Sequence, residues 1–104
     1  MGTTSLHWAI HQQSELATLY ILAWLEREHL GMQDEDGNTP MHLAILASNQ
    51  LENSRLIRLL LFNGAPTDIR NAKGQLPVDL VPEIESPKLK LEILKLFEQR
   101  QTLR

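Results

Sequence analysis

Two histidines four residues apart, His7 and His11 in the run His-Trp-Ala-Ile-His, have a spacing that invites chemistry, because on one helix they would share a face and could grip a metal ion. The sequence carries the idea no further. The glutamate that stands beside the first histidine in a zinc hydrolase is absent, and no third ligand is evident. The acidic run Asp34-Glu35-Asp36 lacks the alternating ligands and closing glutamate of a calcium loop and reads as a solvated turn. With no cysteine in the chain, thiolate nucleophiles, disulfides and Cys-ligated metals are excluded. No glycine-rich phosphate loop and no serine-histidine-aspartate arrangement can be assembled. The expectation is a non-catalytic protein with no catalytic, cofactor-binding or metal-binding residues, whose function lies in what its surface binds.

The elements that present this surface should be helical. A chain of 104 residues fits one domain, and 42% hydrophobic with 22% charged residues is an ordinary globular balance. The apolar content is rich in leucine, poor in β-branched residues and only 5% aromatic, which favours an all-α fold. Net charge is −3 and uneven: Glu26, Glu28, Asp34, Glu35 and Asp36 crowd the first third, while Lys88, Lys90, Lys95, Arg100 and Arg104 mark the end. Those basic residues are interleaved with leucines rather than stacking groups, so nucleic acid is not an expected partner. The longest apolar-rich stretch, 16–25, falls far short of the ~20 residues that span a bilayer, so no membrane insertion by this chain is expected; the expected location is cytoplasmic.

Sliding the sequence against itself exposes a repeat. Thr4-Ser5-Leu6-His7-Trp8-Ala9-Ile10 matches Thr39-Pro40-Met41-His42-Leu43-Ala44-Ile45 at an offset of 35, and Gly37-Asn38-Thr39-Pro40-Met41-His42-Leu43 matches Gly74-Gln75-Leu76-Pro77-Val78-Asp79-Leu80 at an offset of 37. Thr39 can cap a helix whose first position is Pro40, with Met41, Ala44 and Ile45 on one face. Ser54 can cap a second helix in which Leu56, Ile57, Leu60 and Leu61 form a stripe that Asn63-Gly64 ends in a left-handed stop. Together with Leu59-Leu60-Leu61-Phe62-Asn63-Gly64-Ala65, the signature Thr39-Pro40-Met41-His42-Leu43-Ala44 resembles the ankyrin-repeat family, whose period is about 33 residues.

The resemblance implies an all-α solenoid of three helix pairs joined by short hairpin or loop fingers near residues 30–38 and 65–75. It implies one domain over residues 1–104, with repeat 1 at about 1–35, repeat 2 at about 36–71, and repeat 3 with a C-terminal cap at about 72–104. His7 and His42 become the signature histidines, bonded to backbone of the neighbouring turn, and His11 a surface group. The excess over the family period fits in 48–53, predicting an enlarged loop between paired helices. In the third unit Pro82 should end the first helix early and Ser86-Pro87 restart it, with Leu89, Ile93, Leu96 and Phe97 inward and Glu92, Lys95, Glu98 and Gln99 outward as a polar cap. The second helix of the first pair distributes Leu19, Tyr20, Ile21 and Trp24 around much of its surface, so either Trp24 covers that end of the stack itself, or a preceding segment or partner does.

Partner contacts in such proteins come chiefly from finger tips and the exposed side of the first helices. Carried onto this sequence, those positions are Thr3, Trp8, His11 and Gln12, then Glu35, Asp36, Asn38, Leu43, Leu46 and Ala47, then Ala72, Lys73 and Gln75. Trp8 stands out, because the position between histidine and alanine does not require tryptophan for the core; it is either a binding anchor or partly buried against the next unit. The expected ligand is a protein, as an extended peptide or loop, with an apolar or proline side chain against Trp8 and its polar groups read by Gln12, Asn38, Glu35 and Asp36.

Two narrower resemblances suggest where such a module would serve. Trp8, the run from Ser14 to Trp24, Gln33-Asp34-Glu35-Asp36-Gly37, Ile69-Arg70-Asn71, Leu76-Pro77-Val78-Asp79-Leu80 and the tail from Ser86 to Glu92 resemble the ankyrin segment of Asp-His-His-Cys palmitoyltransferases. This would make the chain a substrate-recruiting part at the cytosolic face of a membrane, its catalytic cysteine lying in a separate domain. The alternative is a free-standing cytosolic or nuclear adaptor or inhibitor, since Asp34 to Ile45 is similar to the opening repeat of the IκB inhibitors.

Overall fold

The computed structural model describes residues 4–102. Thr4 and Thr39 start the two first helices in the same way: each hydroxyl accepts the backbone N–H three residues on, from His7 and His42, and each imidazole Nδ1 accepts the threonine's own N–H, at 3.2 and 3.0 Å. The helices so begun are α1 (Ser5–His11) and α3 (Pro40–Leu51), and Pro40 sits in the first turn, where its missing N–H has no role to fill. Each is followed by a partner helix, α2 (Glu15–Trp24) after α1 and α4 (Arg55–Phe62) after α3.

Helix α1 packs on α2 and α3, α3 on α4, and α2 on α4. The third unit repeats this with a 3-10 segment, Pro77–Glu83, against α3, and a long final helix, α5 (Pro87–Thr102), against α4. Two layers result, of first helices and of second helices, and no strand occurs among the described residues. The core lies between the layers, where Leu6, Ile10, Met41, Ile45, Ile57, Leu60 and Ile93 are all fully buried at helical spacing. This is the all-α ankyrin-repeat solenoid that the resemblance implied.

Fingers join the units without strands. In the first, Gly37 N–H bonds the Asp34 carbonyl and Asp34 N–H bonds the Asn38 carbonyl, both at 2.9 Å; in the second, Gly74 to Asn71 and Asn71 to Gln75 repeat the pattern at the same distance. The fingers touch, Ala72 N–H donating to the Asp36 carbonyl at 3.0 Å. Gly37 makes that contact possible: its φ is +75°, and a Cβ there would lie 2.5 Å from the Ala72 nitrogen.

Three local expectations are corrected, and one of two alternatives is removed. The loop foreseen at 48–53 is mostly helix: α3 continues to Leu51, the Ser48 hydroxyl donates to the Ile45 carbonyl, and the helix closes at Glu52, whose φ is +58°. Ser54 holds the N-cap position of α4 but its hydroxyl, fully buried, has no hydrogen-bond partner; the Asn53 side chain accepts the Arg55 N–H instead, at 3.1 Å. The first helix of the third unit is 3-10 throughout, because Pro82 has no N–H to return to Val78 in an α-helix. Trp24 does not cover the first unit's end, being 77% exposed. The inward and outward sets of α5 stand as expected, with Leu89, Ile93 and Phe97 buried, Leu96 half-buried, and Glu92, Lys95, Glu98 and Gln99 exposed.

Candidate functional site

The reciprocal caps fix the histidine rings, and the rings hold the fingers to the helices. Because Nδ1 of His42 accepts the Thr39 N–H, its proton sits on Nε2, which donates to the Gln75 carbonyl at 2.8 Å. His7 does the same one unit earlier, with Nδ1 toward Thr4 and Nε2 toward the Asn38 carbonyl at 2.9 Å. Both nitrogens of His7 are therefore committed, and it cannot join the exposed His11 in holding a metal. Burial pulls the His42 pKa below its ordinary value, against the raising pull of the Gln75 carbonyl bond and of the Asp34 and Asp79 carboxylates.

Each finger is organised by one side chain at its start. The Asp34 carboxylate accepts the N–H groups of Asp36 and Asn38, both at 2.9 Å. The Asn71 amide oxygen accepts those of Lys73 and Gln75, and its NH2 donates to the side-chain oxygens of Asn38 and Gln75, each at 3.0 Å. Asn71 is thus a tie between fingers that was not singled out in the sequence, although its place three residues before Gly74 mirrors that of Asp34 before Gly37.

With the fingers so held, two recesses open along the first-helix layer. One, of about 340 Å³, is lined by Asp36, Asn38, Leu46, Lys73 and Gln75 together with Asn71, Ala72, Leu80 and Glu83. The other, of about 440 Å³, is lined by Ile10, His11, Gln13, Leu43, Leu46, Ala47 and Gln50. Leu46 lines both, so the two recesses are neighbours along the first helices and together reach residues of three units; Gln13 and Gln50, which line the second, share a side-chain hydrogen bond.

The candidate residues divide by exposure and by their bonds in the finger framework. Trp8 is 56% exposed and shares a face of α1 with the exposed His11 and Gln12, so the core does not consume its indole. Glu35, Asp36, Ala72 and Lys73 are exposed at the finger tips, and the exposed Leu46 lines both recesses. Leu43 is half-buried and Ala47 buried, both lining the groove floor. Asn38 and Gln75 are half-buried and already bonded through backbone and side chain to the histidines and Asn71. Thr3 lies outside the described residues. Among the described residues, Glu26, Glu28 and His29 bring three potential ligand atoms within 4.8 Å of one another, on a 3-10 turn that lines neither recess.

Comparison with known proteins bears on the same features. Residues 36–72 match the family described as Ankyrin repeat. Ankyrin repeat domain-containing protein 13C of Homo sapiens is 35% identical over 78 residues, 74% of this chain and 14% of that protein. NF-kappa-B inhibitor zeta of Homo sapiens is 31% identical over 83 residues, 79% of this chain and 12% of that protein. Putative ankyrin repeat protein L484 of Acanthamoeba polyphaga mimivirus is 38% identical over 64 residues, 61% of this chain and 3% of that protein. In each case the matched stretch is a small part of the relative's length. No described helix is long and apolar enough to cross a membrane.

Proposed function

Because this chain belongs to the ankyrin-repeat family, which implies protein–protein interaction, we propose that it is a non-catalytic module binding an extended segment of a partner protein along the groove between the fingers and the first helices. The observation that carries this reading is the pair of neighbouring recesses that share Leu46, lined by Asp36 and Lys73 of the finger tips and by His11, with Trp8 exposed one helical turn before His11 on α1. An extended chain fits a groove of this kind because little of it must be reordered, and a proline ring or other apolar side chain against Trp8 would add an anchor at low entropic cost. Leu43 and Leu46 supply the apolar floor; Gln12, His11, Asp36, Glu35 and Lys73 supply the polar rim.

The test is a comparison of two truncations against a segment selected from a displayed peptide library. Trp8→Ala should weaken binding by about 1–3 kcal/mol, roughly ten- to a hundredfold, with little effect on thermal stability. Leu60→Ala, at a fully buried position, should cost about 2–5 kcal/mol of stability. A Trp8→Ala variant that unfolds as badly as Leu60→Ala, or binds as tightly as the parent, removes Trp8 from the groove.

Two finer readings concern setting. One reading is a free-standing cytosolic or nuclear adaptor or inhibitor, and its inhibitor part draws support from NF-kappa-B inhibitor zeta, aligned over 79% of this chain and 12% of that protein. Binding to NF-kappa-B, the target in that relative's name, would support that reading, and loss of such binding in Trp8→Ala would place it on this groove. The acyltransferase-associated reading rests on the resemblance of residues 8–92 to ankyrin segments of those enzymes and draws no support from the relatives named above. A flanking reading frame with membrane helices around a cysteine-rich segment would establish it.

A further inference from the structure

Helix α2 is apolar on both sides. Thr18 and Leu22 are buried against the core, while Leu16, Leu19, Tyr20, Ala23 and Trp24, spaced i, i+3, i+4, i+7 and i+8, form an unbroken exposed stripe. A helix with apolar residues all round belongs in an interior. Leu16 is 78% exposed, Tyr20 69% and Trp24 77%, and the stripe presents roughly 500 Å² of apolar surface, near the upper end of what a monomer shows. None of these residues lines the groove, which lies on the other layer.

The surroundings of the stripe differ in charge at its two ends. Beside the N-terminal end stand Arg55 and Arg58 of α4, which share a recess with Glu15, Arg55 lying 3.5 Å from the Glu15 carboxylate. Past the C-terminal end stand the exposed Glu26 and Glu28, while the Arg27 guanidinium lies over Gly64 at the end of α4. A surface apolar in the middle, with Arg58 beside the Glu15–Arg55 ion pair at one end and Glu26 and Glu28 at the other, is complementary to itself when turned around. We propose that the exposed face of α2 is a two-fold dimer interface, occupied by α2 of a second copy in antiparallel orientation.

With the axis at Tyr20, Leu16 of each copy meets Trp24 of the partner subunit, the two Tyr20 rings meet at the centre, and the Arg55–Arg58 end of each copy faces the Glu26–Glu28 end of the other. Two such stripes and their charged flanks come to about 1,200 Å², the low end of specific interfaces. Head-to-tail stacking on α5 fits less well, since among the described side chains its outer side offers Leu91 and Leu94 amid Glu92, Lys95, Glu98 and Gln99. The dimer leaves both grooves open.

Sedimentation of the whole chain from low micromolar to several hundred micromolar tests this. The parent should pass from monomer to dimer with rising concentration, more weakly at high salt. Tyr20→Lys sets two ammonium groups on the axis and should weaken the dimer at least tenfold without changing the thermal midpoint of dilute chain. Arg58→Glu and Glu28→Arg should each weaken self-association, whereas an equimolar mixture of the two variants should form a heterodimer, because both charged contacts are then restored. A parent that stays monomeric, a dimer indifferent to Tyr20→Lys, or a mixture no more associated than its components would overturn the proposal.

Discussion

Replacing His42 with alanine is the sharpest perturbation of the scaffold that holds the groove. The ring is fully buried and bridges three groups: the Thr39 N–H and hydroxyl at Nδ1, 3.0 and 2.8 Å away, and the Gln75 carbonyl at Nε2, 2.8 Å away. Alanine leaves the Thr39 N–H without its partner beside a cavity, and an orphaned buried group costs about 1–3 kcal/mol. Gln75 is half-buried, so water can satisfy its carbonyl in part. Adding the lost packing of a buried ring, the expected loss is about 3 kcal/mol, a large share of the roughly 5–15 kcal/mol of a domain this size. His7→Ala should cost less, because its threonine is only half-buried at the end of the stack. The same ring sets a pH dependence. Its folded pKa lies below the ordinary 6.5, so as pH falls below that value the unfolded chain takes up a proton that the folded chain refuses. The stability contributed by the neutral ring is therefore present above about pH 6.5 and is lost as pH falls toward the folded pKa. Urea denaturation followed by circular dichroism at several pH values would measure both effects. A His42→Ala cost below about 1 kcal/mol, or an unchanged slope near pH 6 in the variant, would refute the reasoning.

Two glycines in equivalent turns should respond differently to alanine. Gly37→Ala meets the Ala72 nitrogen at 2.5 Å as well as a φ of +75°, and should cost about 2–4 kcal/mol in thermal or chemical denaturation; Gly74→Ala, at φ +77° with nothing within 4 Å, should cost only about 1 kcal/mol. Ser54→Ala removes a buried hydroxyl that has no partner, so it should leave stability unchanged or raise it by up to about 1 kcal/mol, where an ordinary helix cap would lose about that much.

The scaffold was legible in the sequence where one residue type has one structural use. Thr39-Pro40 starts a helix, Asn63-Gly64 ends one, and the histidine three residues after each threonine leaves a spacing that the reciprocal caps explain. Legibility failed where neighbours compete for one role. Asn53 and Ser54 are both capping residues, and the side chain one place earlier reached the N–H. At 48–53, the excess over the family period suggested a loop, but the Ser48 hydroxyl turned back onto α3 and Glu52 took the left-handed closure that sequence assigns more readily to glycine or asparagine. Nor did residue types reveal that Asn38 and Gln75, plausible readers of a ligand, are half-spent on the finger framework, because those bonds connect residues 31 to 33 positions apart. The exposure of Trp8 was the feature that only packing could decide.

Whether the groove binds protein is tested most directly by titrating a selected peptide segment into isotope-labelled chain and mapping the backbone and indole resonances that move. The Trp8 indole N–H and the amides of His11, Asp36, Leu46 and Lys73 should shift together with one saturation curve, while those of Tyr20, Trp24 and Leu94 stay in place. Shifts confined to α2 or α5, with Trp8 and Leu46 unmoved at saturation, would contradict the assignment of function to this face.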